Sequence, residues 1–163
     1  MLVLDADGLI KLHRAEVLEL IAQEFECVVP PAVYREVVTR GRERHHPDVD
    51  DIERIVNSKM TVWSHPIAAG TDAGMGPGET EALDLLGELY GRSLRPVVVS
   101  DDRAFIAILS RMGQAFFLPA VLIVELARSG TLNQREAAQS LGRLQPFIRD
   151  TQYRQAIRDI ERL

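Results

Sequence analysis

The chain has 163 residues, 46% of them apolar, with a formal charge of −5 and a pI of about 5.4. That length suits one domain with one core, the composition excludes wholesale disorder, and the charge excludes a generic basic nucleic-acid coat. Cys27 is the only cysteine, so no intrachain disulfide or cysteine-based zinc cluster can form, and no apolar run approaches the roughly eighteen residues of a membrane span. With no basic region before the first short apolar run, secretion is not expected either, and the cytoplasm is the expected location.

Leu2 to Leu4 reads as a short buried strand. Gly8 opens a helical pattern in which Leu9, Leu12, Val17, Leu20 and Ile21 recur, with a break near His13-Arg14. Cys27 to Val29 is a second strand stopped by Pro30-Pro31, and its neighbours mark Cys27 as a buried thiol. Pro31 suits a first helical position, Val33, Val37 and Val38 face the core, and Gly41 ends that helix. Arg42 to Pro47 is a polar loop, Asp48 to Ser58 a short amphipathic helix, and Met60 to Trp63 a third strand. Pro66 to Pro77, with Gly70, Gly74 and Gly76, reads as the longest irregular segment.

Glu79 to Tyr90 is a strong helix, and Pro96 to Val99 the most apolar strand, which predicts a central position covered on both faces. A helix from Arg103 to Met112, a strand from Ala115 to Leu118 and a helix from Pro119 to Ser129, capped by Gly130, follow. Asn133 caps a helix to about Leu144, and a last helix from Asp150 aligns Tyr153, Ile157 and Ile160. Five strands alternating with helices predict a three-layer α/β/α sandwich on a five-stranded, mainly parallel sheet. Residues 1–163 form one domain in this reading, with the helices from about 131 packing on it.

The carboxylates fall at informative places. Asp5 closes the first apolar run, Asp101 and Asp102 close the run Val97 to Ser100, and Glu36 and Glu79 lie near helix starts. In a parallel α/β sheet the carboxyl ends of the strands share one edge, where ligands bind. Acids gathered there repel unless protonated or neutralised by a cation, and oxygen donors of this kind suit Mg²⁺ or Mn²⁺. Each acid also has an ordinary explanation. Asp5, Asp7 and Asp101-Asp102 are apt N-caps, Glu79 suits a first helical turn, and Glu36 can pair with Arg40 at i,i+4. Asp48, Asp50 and Asp51 read as a solvated face.

Four segments together resemble the PIN-domain ribonucleases, of the VapC-like toxin type, over residues 2 to about 130. They are Val3-Leu4-Asp5-Ala6-Asp7-Gly8, Val29-Pro30-Pro31-Ala32-Val33-Tyr34-Arg35-Glu36, Gly76-Pro77-Gly78-Glu79-Thr80-Glu81 and Val99-Ser100-Asp101-Asp102-Arg103. The chain departs from the pattern at Asp7, where a small polar residue is usual, and at Phe117-Leu118-Pro119-Ala120, which lacks a Gly-Thr turn. The resemblance implies an acidic pocket holding one or two divalent ions and hydrolysis of single-stranded RNA. Carried over by position, Asp5, Glu79, Asp101 and Asp102 are the metal ligands, and Asp5, Glu36, Glu79 and Asp102 the catalytic residues. Similar small proteins are often toxins neutralised by an antitoxin that fills the groove.

A bound metal makes water a competent nucleophile, neutralises the phosphate and holds the two in line, so this chemistry needs only oxygen ligands and a shaped cavity. Two other readings stay open. Asp5-Ala6-Asp7-Gly8 also matches the start of haloacid-dehalogenase-like phosphatases, with Asp5 as nucleophile, although Lys11 and Lys59 are the only lysines available. A non-catalytic RNA- or protein-binding module is the other. The basic segment from Arg40 to His46 can grip phosphates or lie solvated, and Trp63 can stack on a base or fill the core. Finally, Val121, Leu122, Ile123, Val124 and Leu126 nearly encircle their helix, which predicts cover by a second copy, a homodimer.

Overall fold

Short runs of valine, leucine and phenylalanine build the sheet. The computed structural model describes residues 1–64 and 75–163. Strands β1 (Leu2–Leu4), β2 (Cys27–Val29), β3 (Thr61–Val62), β4 (Val97–Val99) and β5 (Phe116–Phe117) pair in parallel in the order β3-β2-β1-β4-β5. β1 is central, with Leu2 beside both Cys27 and Val97, and Leu4 beside Val99. Side chains alternate across a strand. Accordingly Leu2, Leu4, Cys27, Val29 and Val99 enter one core cluster, while Val3, Val28 and Val98 enter a second on the opposite face. The expected α/β/α sandwich is present.

The first face carries α1 (Ala6–Arg14), α2 (Leu18–Glu24), α3, α4 (Val49–Lys59), α7 (Pro119–Arg128), α8 (Gln134–Leu144) and α9 (Asp150–Glu161). α3 is α-helical over Pro31–Tyr34, takes the wider π form over Arg35–Arg40, and is α-helical again over Gly41–Glu43. The second face carries α5 (Pro77–Gly91) and α6 (Arg103–Arg111). The break expected near His13-Arg14 is real: α1 stops at Arg14 and Glu16 takes a positive φ of 59° before α2.

Several boundaries differ from expectation. Gly41 does not end its helix; it is buried within it, where a Cβ would stand 2.8 Å from Val49 Cγ2, so the glycine serves the packing of α3 on α4. The third strand stops before Trp63, whose ring fills the second core cluster and whose Nε1 donates to Glu88 at 3.1 Å. The irregular segment from Pro66 lies largely outside the described residues, and its last member, Pro77, already opens α5.

α7 is buried at Ala120, Leu122, Ile123, Val124 and Leu126, and the elements packed against it are the chain's own α8 and α9. Much of the cover assigned there to a second copy is therefore supplied within the chain. No helix among the described residues is long and apolar enough to cross a membrane.

One consequence of the strand order positions everything below. The chain builds outward from β1 to β2 and β3, then crosses back to add β4 and β5 on the other side. The reversal leaves a crevice beyond the carboxyl ends of β1 and β4, the place where sheets of this kind bind ligands. Asp5 and Asp102 lie there.

Candidate active site

Asp5 leaves β1 in an extended conformation and caps α1, its Oδ1 accepting from Gly8 N at 2.5 Å. Its own N–H donates to Val99 O at 3.3 Å, stitching the site to β4. Gly8 has to be a glycine: a Cβ there would sit 2.5 Å from Val99 O and 2.9 Å from Asp5 Oδ1. The missing side chain lets the first turn of α1 close against β4. Asp5 is only 5% exposed. Burial pushes its carboxyl up to about 7, with Asp7 and Asp102 adding to the rise, against hydrogen bonds from Ser100 and Gly8 that lower it.

Two more acids are held in the same manner. Asp102 caps α6, with Oδ1 accepting from Phe105 N at 2.8 Å, and its own N–H donates to Ser100 Oγ at 3.1 Å. Glu79, in the first turn of α5, reaches back to Gly76 N at 2.5 Å. Asp5, Asp102 and Glu79 are thus each tied by one carboxylate oxygen to a helix N-terminus, where the dipole favours negative charge. The capping role expected as the plain alternative to a functional one is present, and it orients the acids without consuming them. Among the described residues no side-chain donor is bonded to Asp102 Oδ2 or Glu79 Oε1.

Asp5, Asp7, Glu36, Glu79 and Asp102 line one cavity of about 400 Å³, with Ile10 and Val33 as apolar wall. Gly78 makes room for it, since a Cβ there would press on Val33 at 3.2 Å and approach Glu36 Oε2 at 3.7 Å. Glu81 locks the same junction, accepting from Ala32 N at the start of α3 and from Arg35 at 2.8 Å. Glu36 makes no ion pair with Arg40 among the described residues. It sits in the π stretch, whose wider turn disrupts the i,i+4 neighbour relation that an α-helix would impose.

The five carboxylates surround the cavity without clustering, and no three acidic, histidine or cysteine side chains among the described residues form a ready-made ligand set. The donor chemistry still suits a hard divalent cation. Mg²⁺ keeps several waters and takes one or two protein carboxylates together with substrate phosphate, not an all-protein cage. A buried acid whose charge is disfavoured, as at Asp5, is also one whose ionised form a cation would rescue.

A family model described as "DUF3368: PIN domain" matches residues 1–162. The chain belongs to the PIN-domain family. Comparison with curated proteins and comparison with solved structures each found no match. Membership points to a nuclease hydrolase; PIN domains generally use divalent metal ions, and PIN nucleases act on RNA. The phosphatase alternative also lacks its free lysine. Lys59 pairs with Glu19 at 3.4 Å, and Lys11 is held between Asp7 and Asp101 at 2.6 and 2.7 Å.

That last contact sets Asp101 apart from the other acids of this PIN domain. Asp101, counted among the metal ligands from sequence, does not line the cavity. Its side chain, 5% exposed, accepts from Lys11, from Gln152 Nε2 at 2.6 Å and from Arg149 at 3.3 Å. Its charge is already met, and it ties α9 to the end of β4. Sequence reasoning also missed Lys11, Ser100, Gly8 and Glu81. Asp7 and Lys11 stand at i,i+4 and were visible as a pair. The docking of Arg149 and Gln152 left no local signal.

Proposed function

We propose that this PIN domain, taken as one unit over residues 1–163, is a metal-dependent endoribonuclease cleaving single-stranded RNA, and the toxin of a toxin–antitoxin pair of the VapC-like type. The observation that carries the reading is Asp5, a buried carboxylate with no lysine or arginine paired to it among the described residues, sharing one cavity with Glu36, Glu79 and Asp102 at the strand crossover.

Bound Mg²⁺ or Mn²⁺ supplies Lewis acidity, making water nucleophilic near neutral pH and offsetting phosphate charge. Asp5, Glu79 and Asp102 would hold it, their carboxylates oriented by the bonds that cap the helices. Those helix-terminal bonds prevent the acids from swinging, which metal geometry requires. Glu36, opposite them and exposed, orients the attacking water and takes its proton. The water oxygen bonds to phosphorus, the bond from phosphorus to the 3′ oxygen breaks, and that oxygen takes a proton from solvent water, to which Glu36 returns the one it took. The products are a 5′-phosphate and a 3′-hydroxyl. Asp7, already paired with Lys11, adds negative potential at the rim and carries no ligand role.

The test is cleavage of a labelled single-stranded RNA with Mg²⁺, with excess chelator, and by Asp5→Asn. Cleavage that persists in chelator, or full activity in Asp5→Asn, rejects the mechanism. For the toxin role, expression of the wild type arrests growth and expression of Asp5→Asn does not. Growth unaffected by a protein shown active in vitro rejects that role alone.

A further inference from the structure

A second cavity, of about 140 Å³, opens beside the acidic one and shares two of its walls, Ile10 and Glu36. Its character differs. Arg14, Arg44 and His46 converge on it over an apolar floor that includes Val37 and Ile52. One water needs about 10–15 Å³ on this measure, so there is room for roughly ten, ample for a phosphate group.

The arginines around it are not equivalent. Arg42 is consumed by Asp50 and Glu53, at 2.9 and 2.6 Å. Arg44, two positions on, makes no side-chain hydrogen bond or ion pair among the described residues. Arg14 lies 4.1 Å over the Phe147 ring, which holds it at the wall, and makes a long ion pair at 3.9 Å with Asp48, which also lines the cavity, while no hydrogen bond among the described residues uses its donors. Two guanidinium groups with donors to spare therefore face a cavity that joins a site lined by five carboxylates. An RNA strand entering the acidic site meets repulsion from those acids, so its binding energy has to come from contacts away from the reacting phosphate.

We propose that this cavity is a subsite for a phosphate of the RNA backbone next to the scissile one, bound by Arg14 and Arg44 with His46 alongside. The proposal rests on the RNA-cleaving reading above and adds where the strand runs: from the acidic cavity, past Ile10 and Glu36, toward α4 and Phe147. Guanidinium groups suit this task because their paired N–H donors match phosphate oxygens.

The experiment measures binding of a labelled single-stranded RNA oligonucleotide to the full chain carrying Asp5→Asn, alone and with Arg44→Ala or Arg14→Ala, across a salt series. Each arginine removed is expected to weaken binding and to reduce the slope of log affinity against log salt by about 0.7, the contribution of one single-strand phosphate contact. With Asp5 intact, Arg44→Ala or Arg14→Ala raises KM for the oligonucleotide while kcat holds, and a dinucleotide with a single phosphate shows no such rise. Arg44 has no side-chain partner to lose among the described residues, so its variant keeps the parent melting temperature and guards against misfolding. Unchanged affinity and slope in both variants overturn the subsite and assign the cavity to another occupant, such as a protein partner. Arginine-dependent binding without metal-dependent cleavage by the wild type overturns the catalytic reading and leaves the subsite standing.

Discussion

Asp101 and Asp102 are consecutive in sequence and opposite in circumstance. Asp101 turns toward Lys11, Arg149 and Gln152, where a buried carboxylate is matched by two cations and an amide. Asp102 turns toward the acidic cavity, where Asp5, Asp7, Glu36 and Glu79 add charge of its own sign. One knot is complete and tethers the C-terminal helix. The other is incomplete, and its shortfall of positive charge is what a bound cation would make up. Two neighbouring acids differ here in whether the fold provides their counter-charge.

The largest break in that contrast comes from Asp5→Asn, which removes a carboxylate from the incomplete knot. Cleavage falls by more than the roughly 10–100-fold usual for losing a partner outside the ligand set. Stability moves the other way. Between the ordinary value of 3.8 and about 7, the folded state holds a proton on Asp5 that the unfolded chain has released. The metal-free wild type therefore loses stability as pH rises from about 4 to about 7, by on the order of 4 kcal/mol, and Asp5→Asn lacks that slope. Chemical denaturation of both proteins across this range checks the sign. Adding Mg²⁺ at pH 7 raises the wild-type melting temperature and leaves that of Asp5→Asn unchanged.

Ser100→Ala sharpens the comparison by removing the hydroxyl that links Asp5 to the backbone of Asp102. A loss of about 10–100-fold in metal affinity, read by titration calorimetry, is expected with little change in fold. Gly8→Ala drives a Cβ into Val99 O. It should cost about 1–3 kcal/mol in denaturant melts, as overpacking does, and displace Asp5 as well. The smallest effect on activity belongs to Asp101→Asn. Its cost, about 1.5–3 kcal/mol for charged hydrogen bonds lost, appears as loosening of α9 in hydrogen exchange. Metal affinity falls less than in Ser100→Ala. A reversed ranking of these two variants would return Asp101 to the ligand set.

The sandwich was legible because its signals are local. Apolar triplets mark the strands, prolines open α3, α5 and α7, and Gly130 with φ of 81° closes the last of these. The acids around the cavity were legible for a related reason: strand ends and helix caps are local positions, and the sheet order converts them into one place. What separates Asp101 from Asp102 is not local. Two of its partners lie 48 and 51 residues further on, at the start of a helix whose own pattern says only that one face is buried. The same limit applies to the second copy expected over α7. An apolar helix declares that it needs cover, but not from where. Gly41 was misread because a glycine that ends a helix and one that admits a neighbour look alike in sequence.

The close approach of Gly8 to the carbonyl of Val99 has a further consequence, one of timing. Asp5 reaches its place at the cavity only after β4, more than ninety residues further along the chain, pairs with β1. Such distant pairings are slow to close, and the tether on Asp101 waits for Arg149 and Gln152. A chain folded only as far as α4 thus carries Asp5 and Glu36 without the strand that would assemble them. The acidic cavity is closed as a unit only once β4 and the Asp102 that follows it are in place.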